Sequence, residues 1–130
     1  MKYPIKEAFE AKENAYAPYS EFKVGAALLC SDGRIYKGCN IENSSYSATI
    51  CAERAALACA ISDGKRDFTA LVITGGDDYC YPCGICRQAL SEFVDDDFKI
   101  VIAKSETETK VYKISELLPE CFSLKNKQAK

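Results

Sequence analysis

The chain has 130 residues, 48% apolar and 28% charged, with a net charge of −2 and a pI of about 5.2. That is the length of one domain with enough apolar side chains for a core, and its acidic balance argues against a protein built to grip nucleic-acid phosphates. With eight cysteines and no histidine, every catalytic or metal-binding role of histidine is excluded, so a metal site must be built from thiolates and carboxylates.

Ile5, Ala8, Phe9, Ala15 and Tyr16 recur at helical spacing between residues 4 and 17, and Pro18 ends the run. Val24–Cys30 and Arg34–Ile41 read as two strands of a hairpin joined by Ser31-Asp32-Gly33. Residues 42–49 are a polar loop. Cys51–Ser62 is an alanine-rich helix with a stripe of Ala52, Ala55, Ala56, Cys59 and Ala60, stopped by Asp63-Gly64. Phe68–Thr74 reads as a strand buried on both faces, broken by Gly75-Gly76-Asp77-Asp78. Pro82 precedes a second helical run, Cys83–Val94, where proline suits the first turn. Phe98–Ala103 is another buried strand and Lys110–Ile114 a weaker one. Leu117-Leu118-Pro119 is at most a helical turn, and Lys125–Lys130 a solvated basic tail. The order α-β-β-α-β-α-β-β predicts an α/β fold over residues 1–130: a mixed five-stranded sheet with helices on both faces, in three α/β/α layers.

The apolar runs are too short to cross a membrane, and Met1–Glu7 lacks the apolar stretch of a secretory signal. A cytoplasmic chain with reduced thiols is therefore the expectation, not a disulfide framework. Pro82-Cys83-Gly84-Ile85-Cys86 places two thiols on one face of a helix start. Such a pair suits a redox dithiol, half of a zinc site, or two packed thiols. Cys51, at the start of the other internal helix, offers a third thiolate, and three sulfurs with one open position are the pattern of catalytic zinc. Helix N-termini favour thiolates, and Arg54 can draw charge from them. Taken singly, Glu53 suits a first-turn dipole partner and Arg54 a surface ion pair. Cys80-Tyr81-Pro82-Cys83 is also a Cys-x-x-Cys, so Cys80 could close a four-sulfur structural site with no catalytic opening. Cys30, Cys39, Cys59 and Cys121 read as core thiols.

Cys51-Ala52-Glu53 with Pro82-Cys83-x-x-Cys86 resembles the zinc deaminase signature in its three-cysteine form. Ala15-Tyr16-Ala17-Pro18-Tyr19-Ser20, Phe22-Lys23-Val24-Gly25-Ala26-Ala27-Leu28, Gly38-Cys39-Asn40-Ile41-Glu42-Asn43 and Cys83-Gly84-x-Cys86-Arg87-Gln88 narrow the likeness to the small homotetrameric cytidine deaminases, from about residue 10 to Phe122. The resemblance implies one zinc per chain on Cys51, Cys83 and Cys86, with Glu53 as proton shuttle and Arg54 hydrogen-bonded to zinc-bound sulfur. It implies substrate contacts from Asn40 and Glu42 to the ribose 3′-hydroxyl, from Phe22 near the pyrimidine, from Ala52, and from Phe122 of a neighbouring subunit. It further implies a homotetramer with active sites at subunit contacts, a nucleoside substrate and water, and neither nucleic acid nor membrane as partner. Cys39 and Cys80 are thiols near the site that this chemistry does not require.

The implied reaction is hydrolytic deamination of cytidine and 2′-deoxycytidine to uridine and 2′-deoxyuridine in pyrimidine salvage. Metal-activated water adds to C4 while Glu53 carries its proton to N3, then a proton to the departing amino group, releasing ammonia. One carboxylate that reaches both water and ring needs no histidine. Two other readings are a deaminase of a cytidine-like antibiotic such as blasticidin S, whose relatives lack the Asn40-x-Glu42 pair, and the closed four-cysteine structural module.

Overall fold

The computed structural model describes residues 2–125. Its elements are α1 (Ile5–Lys12), β1 (Val24–Cys30), β2 (Ile35–Cys39), a 3-10 turn (Tyr46–Ala48), α2 (Ala52–Ser62), β3 (Phe68–Gly75), α3 (Gly84–Ser91), β4 (Lys99–Ala103), β5 (Thr109–Lys113) and α4 (Ile114–Leu117). The five strands form one mixed sheet in the order β2-β1-β3-β4-β5. Only β3 and β4 are parallel, and α3 lies in the connection between them; the other neighbours are antiparallel.

Alternation along the strands creates the layers. Ala26 and Leu28 of β1, Leu71 and Ile73 of β3, and Ile100 and Ile102 of β4 point into one core with Ala52, Ala56, Leu57 and Ala60 of α2 and Leu90 of α3. Ala27, Val72, Val101 and Ala103 point the other way, to a smaller core under Ala8 of α1. All three central strands are therefore apolar on both faces, as a covered sheet requires. α2 approaches β2 closely because residue 38 is glycine. A Cβ there would stand 2.4 Å from both the Ala52 carbonyl oxygen and the Ala56 nitrogen. That contact seats the first turn of α2 beside Cys39 and Asn40, where the candidate site lies.

Several boundaries differ from the sequence expectation. α1 stops at Lys12, and Tyr16 leaves the helix to pair with Ile41: its amide donates to the Asn40 carbonyl at 2.9 Å and its carbonyl accepts from Glu42 at 2.8 Å. β2 ends at Cys39, with Ile41 held by single bridges to Tyr16 and Ile50. α3 ends at Ser91, before the acidic Asp95-Asp96-Asp97 run. Ile114 belongs to α4 and not to β5, because the Glu116 carboxylate accepts from the Lys113 amide at 2.8 Å and starts a helical turn there. Cys30 is buried, but Cys39 and Cys121 are only half-buried and Cys59 is exposed. The buried arc of α2 runs through Ala52, Glu53, Ala56, Leu57 and Ala60, which turns Cys59 outward. Of the expected basic tail, Lys125 is described, and its ammonium lies 3.7 Å from the Glu92 carboxylate; residues 126–130 lie outside the described residues.

Candidate active site

Two helix starts converge at one corner of the larger core. Cys51 and Cys83 are the residues just before α2 and α3, both with extended backbone, and neither sulfur caps its own helix. Both therefore remain free to face each other across the gap between the helices. Cys86 lies one turn into α3, buried, on the same side as Cys83. The three sulfurs lie within 4.8 Å of one another, and those of Cys51 and Cys83 are 4.0 Å apart. Tetrahedral zinc with Zn–S bonds of about 2.3 Å sets sulfurs about 3.8 Å apart, so the cluster can take one ion with little movement. Among the described residues it is the one group of cysteine and acidic side chains so placed.

Cys80 lies outside this trio. Its sulfur packs over β3, 3.0 Å from where a Cβ on Gly75 would stand. Burial, then the negative charges of Glu53 and Cys51, push its thiol up to about 11. It is not among the sulfurs that lie within 4.8 Å of one another.

The cluster is electrostatically prepared. Hydrogen bonds from Cys86 first, then Arg54 and Cys83, outweigh burial and pull the Cys51 thiol well below its ordinary value. Cys86 moves upward, through its bond to the Cys51 sulfur and its burial. Arg54 and the neighbouring thiols thus favour the charged form at Cys51 over that at Cys86. Arg54 Nη2 donates to the Cys51 sulfur at 3.8 Å, and Cys51 and then Cys86 hold the guanidinium charged. Arg54 Nε is buried without an acceptor. A donor left over beside the sulfurs suits a cluster whose remaining thiols ionise on taking up a cation.

Glu53 follows Cys51 in the first turn of α2 and is only 5% exposed. Burial pushes its carboxyl up to about 6, helped by the negative Cys51 and opposed by its own backbone amide, Cys86 and Arg54. A carboxyl balanced near neutrality can both accept and return a proton.

The proposed substrate contacts form a rim on the neighbouring loops. Asn40, 8% exposed, accepts from the Val24 amide at 2.9 Å and donates to the Phe22 carbonyl at 2.8 Å. One hydrogen and one lone pair of its amide remain for another partner. Glu42 accepts from the Tyr19 and Ser20 amides at 3.0 and 3.1 Å and from the Ser20 hydroxyl. Those bonds, the Ser20 hydroxyl foremost, hold its carboxyl below the usual range. Beside it a cavity of about 380 Å³ is lined by Tyr19, Ser20, Glu42, Asn43, Tyr46 and Thr49. The Ala52 methyl is buried in the core, so only its main chain can face a substrate. Phe22 is half-exposed, and Phe122 is 63% exposed, with its carbonyl held by Gln88 Nε2 at 3.0 Å.

Two supports were not assigned from the sequence. Ser20 locks Glu42, as just described. Arg87 donates from Nε to the Pro82 carbonyl at 2.8 Å and from Nη1 to the Leu117 carbonyl at 2.7 Å, tying the turn before Cys83 to α4. The Cys-x-x-Cys-Arg string hinted at Arg87, since an arginine one residue past the second thiol can reach back over the turn.

Residues 1–103 match the family model described as the cytidine and deoxycytidylate deaminase zinc-binding region. The chain belongs to that family. It is 48% identical over 120 residues to the cytidine deaminase of Sporosarcina psychrophila, covering 92% of this chain and 88% of that protein. The crystal structure of cytidine deaminase from Burkholderia pseudomallei superposes with a TM-score of 0.86 at 42% identity, covering 91% of this chain and 95% of that one. The cytidine deaminase of Mycobacterium tuberculosis superposes with a TM-score of 0.79 at 39% identity, covering 92% and 94% of the two chains. As a member of a zinc-binding deaminase family, this chain has its metal-competent cluster in Cys51, Cys83 and Cys86.

Proposed function

We propose that the chain hydrolyses cytidine and 2′-deoxycytidine to uridine and 2′-deoxyuridine, releasing ammonia, as a step of pyrimidine salvage. The observation that carries this reading is Glu53, a buried carboxyl pushed up to about 6 beside a three-sulfur cluster that leaves one coordination position open. Zinc held by Cys51, Cys83 and Cys86 would supply the Lewis acidity that makes water a nucleophile near neutral pH. Arg54 draws charge from the Cys51 sulfur and keeps that acidity from being quenched by three thiolates. Glu53 takes the proton of the attacking water and gives it to ring N3 as C4 becomes tetrahedral; it then takes the remaining proton from the hydroxyl now on C4 and passes it to the amino group, which leaves as ammonia as the C4 carbonyl forms. Water enters and ammonia leaves, so no redox partner is required.

Asn40 and Glu42 read the ribose, and Phe22 and the Ala52 main chain border the pyrimidine. Phe122 would complete the site of a neighbouring subunit in a homotetramer. Its exposure leaves the ring free for such a contact. Residues 1–130 act as one catalytic domain in the cytoplasm; no helix among the described residues is long and apolar enough to cross a membrane. The position of Cys80 weighs against the closed four-cysteine module. The Asn40-x-Glu42 pair weighs against a blasticidin-type antibiotic substrate.

The test adds cytidine to purified protein and follows ammonia release and the ultraviolet change. Stoichiometric ammonia and uridine are expected. Unchanged cytidine with a full zinc complement would overturn the reading.

A further inference from the structure

The Phe22 ring stands at the rim with open space behind it. A cavity of about 490 Å³ adjoins it, bordered by Lys12, Pro18, Glu21 and Gly76 among others. The Phe22 backbone is fixed: its amide donates to the Ser20 hydroxyl at 3.0 Å and its carbonyl accepts from Asn40 Nδ2. Neither bond stops the ring from turning about its side-chain torsions into that space. What the ring rests on is the Gly76 backbone. Gly76 has φ +61, and a Cβ there would stand 2.6 Å from Phe22 Cε1 and 3.2 Å from Cζ. The turn carrying Gly76 follows β3, and its carbonyl accepts from Lys12 Nζ at 3.1 Å, across 64 positions of sequence. Lys12 forms no ion pair among the described residues; its ammonium is held by this carbonyl and also lies 5.8 Å from the centroid of the Phe9 ring. α1 thereby braces the turn, and the turn braces the ring.

We propose that Lys12 and Gly76 are positioning residues that hold the Phe22 ring against the pyrimidine. The bare backbone at Gly76 is the floor for the ring, and the Lys12 ammonium keeps that floor in place. The inference rests on the reading that Phe22 borders the pyrimidine, and its test separates the two.

The experiment is a double-mutant cycle on the zinc-loaded enzyme, measuring kcat and KM for cytidine in wild type, Gly76→Ala, Phe22→Ala and the double variant. In Gly76→Ala the added methyl displaces the ring, and kcat/KM falls roughly tenfold, within the coupling range for residues in contact. Any backbone strain from φ +61 is present in both backgrounds, but the collision with the ring exists only where residue 22 is phenylalanine. The loss should therefore shrink to less than about threefold in the Phe22→Ala background. Lys12→Met, which leaves backbone conformation alone, should raise KM more than it lowers kcat, keep its zinc, and be rescued by Lys12→Arg. Its effect should likewise vanish without the Phe22 ring. Equal losses in both backgrounds, for Gly76→Ala or for Lys12→Met, would overturn the clamp. If Gly76→Ala fails to fold, the Lys12 pair decides. An unchanged kcat/KM in Phe22→Ala alone would overturn the underlying placement of Phe22 instead.

Discussion

Cys86 in the sulfur corner and Glu42 on the rim are fixed by different means. The corner is built from the first turns of α2 and α3, packed on the larger core, so its geometry follows from helix positions. The rim is built from loops, and Glu42 is held by the hydroxyl and two amides of Tyr19-Ser20, about twenty positions away. Bond making tolerates little displacement, whereas recognition of a sugar tolerates adjustment. On the proposed reading the rigid elements would carry the chemistry and the loops the selectivity.

Loss of a ligand should have the largest effect. Cys83→Ala should abolish both zinc content and turnover, measured by elemental analysis and ammonia release, because two sulfurs cannot close the site. The same change should leave the sheet intact, since Cys83 is exposed and contributes no core packing.

On the rim, Glu42→Ala should cost cytidine roughly 10- to 150-fold in kcat/KM, the worth of about 1.5–3 kcal/mol for a hydrogen bond to a charged group. Free cytosine, already a poor substrate, should lose little, because it has no sugar to be read. Equal loss for both substrates would make Glu42 a support for the corner and erase the division between the two regions.

The pH profile sharpens the same division. Glu53 must be ionised to accept a proton, and burial has raised it to about 6. The carboxylate fraction falls as pH drops through that value, so kcat/KM should fall on the acid side. A bound cation pulls the group downward, which places this limb at or below about pH 6. Glu42, whose carboxyl is held down by Ser20, should add no second limb near neutrality. An activity that rises on acidification through pH 6 would contradict this assignment.

The smallest effect belongs to Cys80. Cys80→Ser should leave zinc content and turnover largely intact, because its sulfur packs over Gly75 and not in the cluster. Loss of zinc in that variant would show the corner to be closed.

The two regions were also unequally legible in the sequence. The corner was readable from spacing: Cys83 and Cys86 must share a helix face, and a proline before them fixes where that helix begins. That Cys51 meets them came from helix-start chemistry and the family likeness, because contact across 32 positions leaves no local periodicity. The sheet followed from strand patterns, but Ala15 and Tyr16 read as helix while Tyr16 pairs with the β2 extension. Tertiary hydrogen bonding overrode the local pattern there. Cys59 fell in the alanine stripe, yet Glu53 and Leu57 rotate the buried arc away from it. A buried carboxylate at position 53 is the signal that the stripe alone did not carry. The partners of Glu42 depend on how residues 17–21 turn, and Glu21 sits there at φ +59, a conformation that no pattern of apolar residues announces.

Zinc content and cytidine turnover measured together on Glu53→Gln test the central claim most directly. The account predicts about one zinc per chain, unchanged thermal stability, and turnover reduced by at least about 100-fold, the lower range for general acid–base catalysis. Near-normal turnover with zinc in place would contradict it and leave Glu53 as a first-turn partner of the α2 dipole.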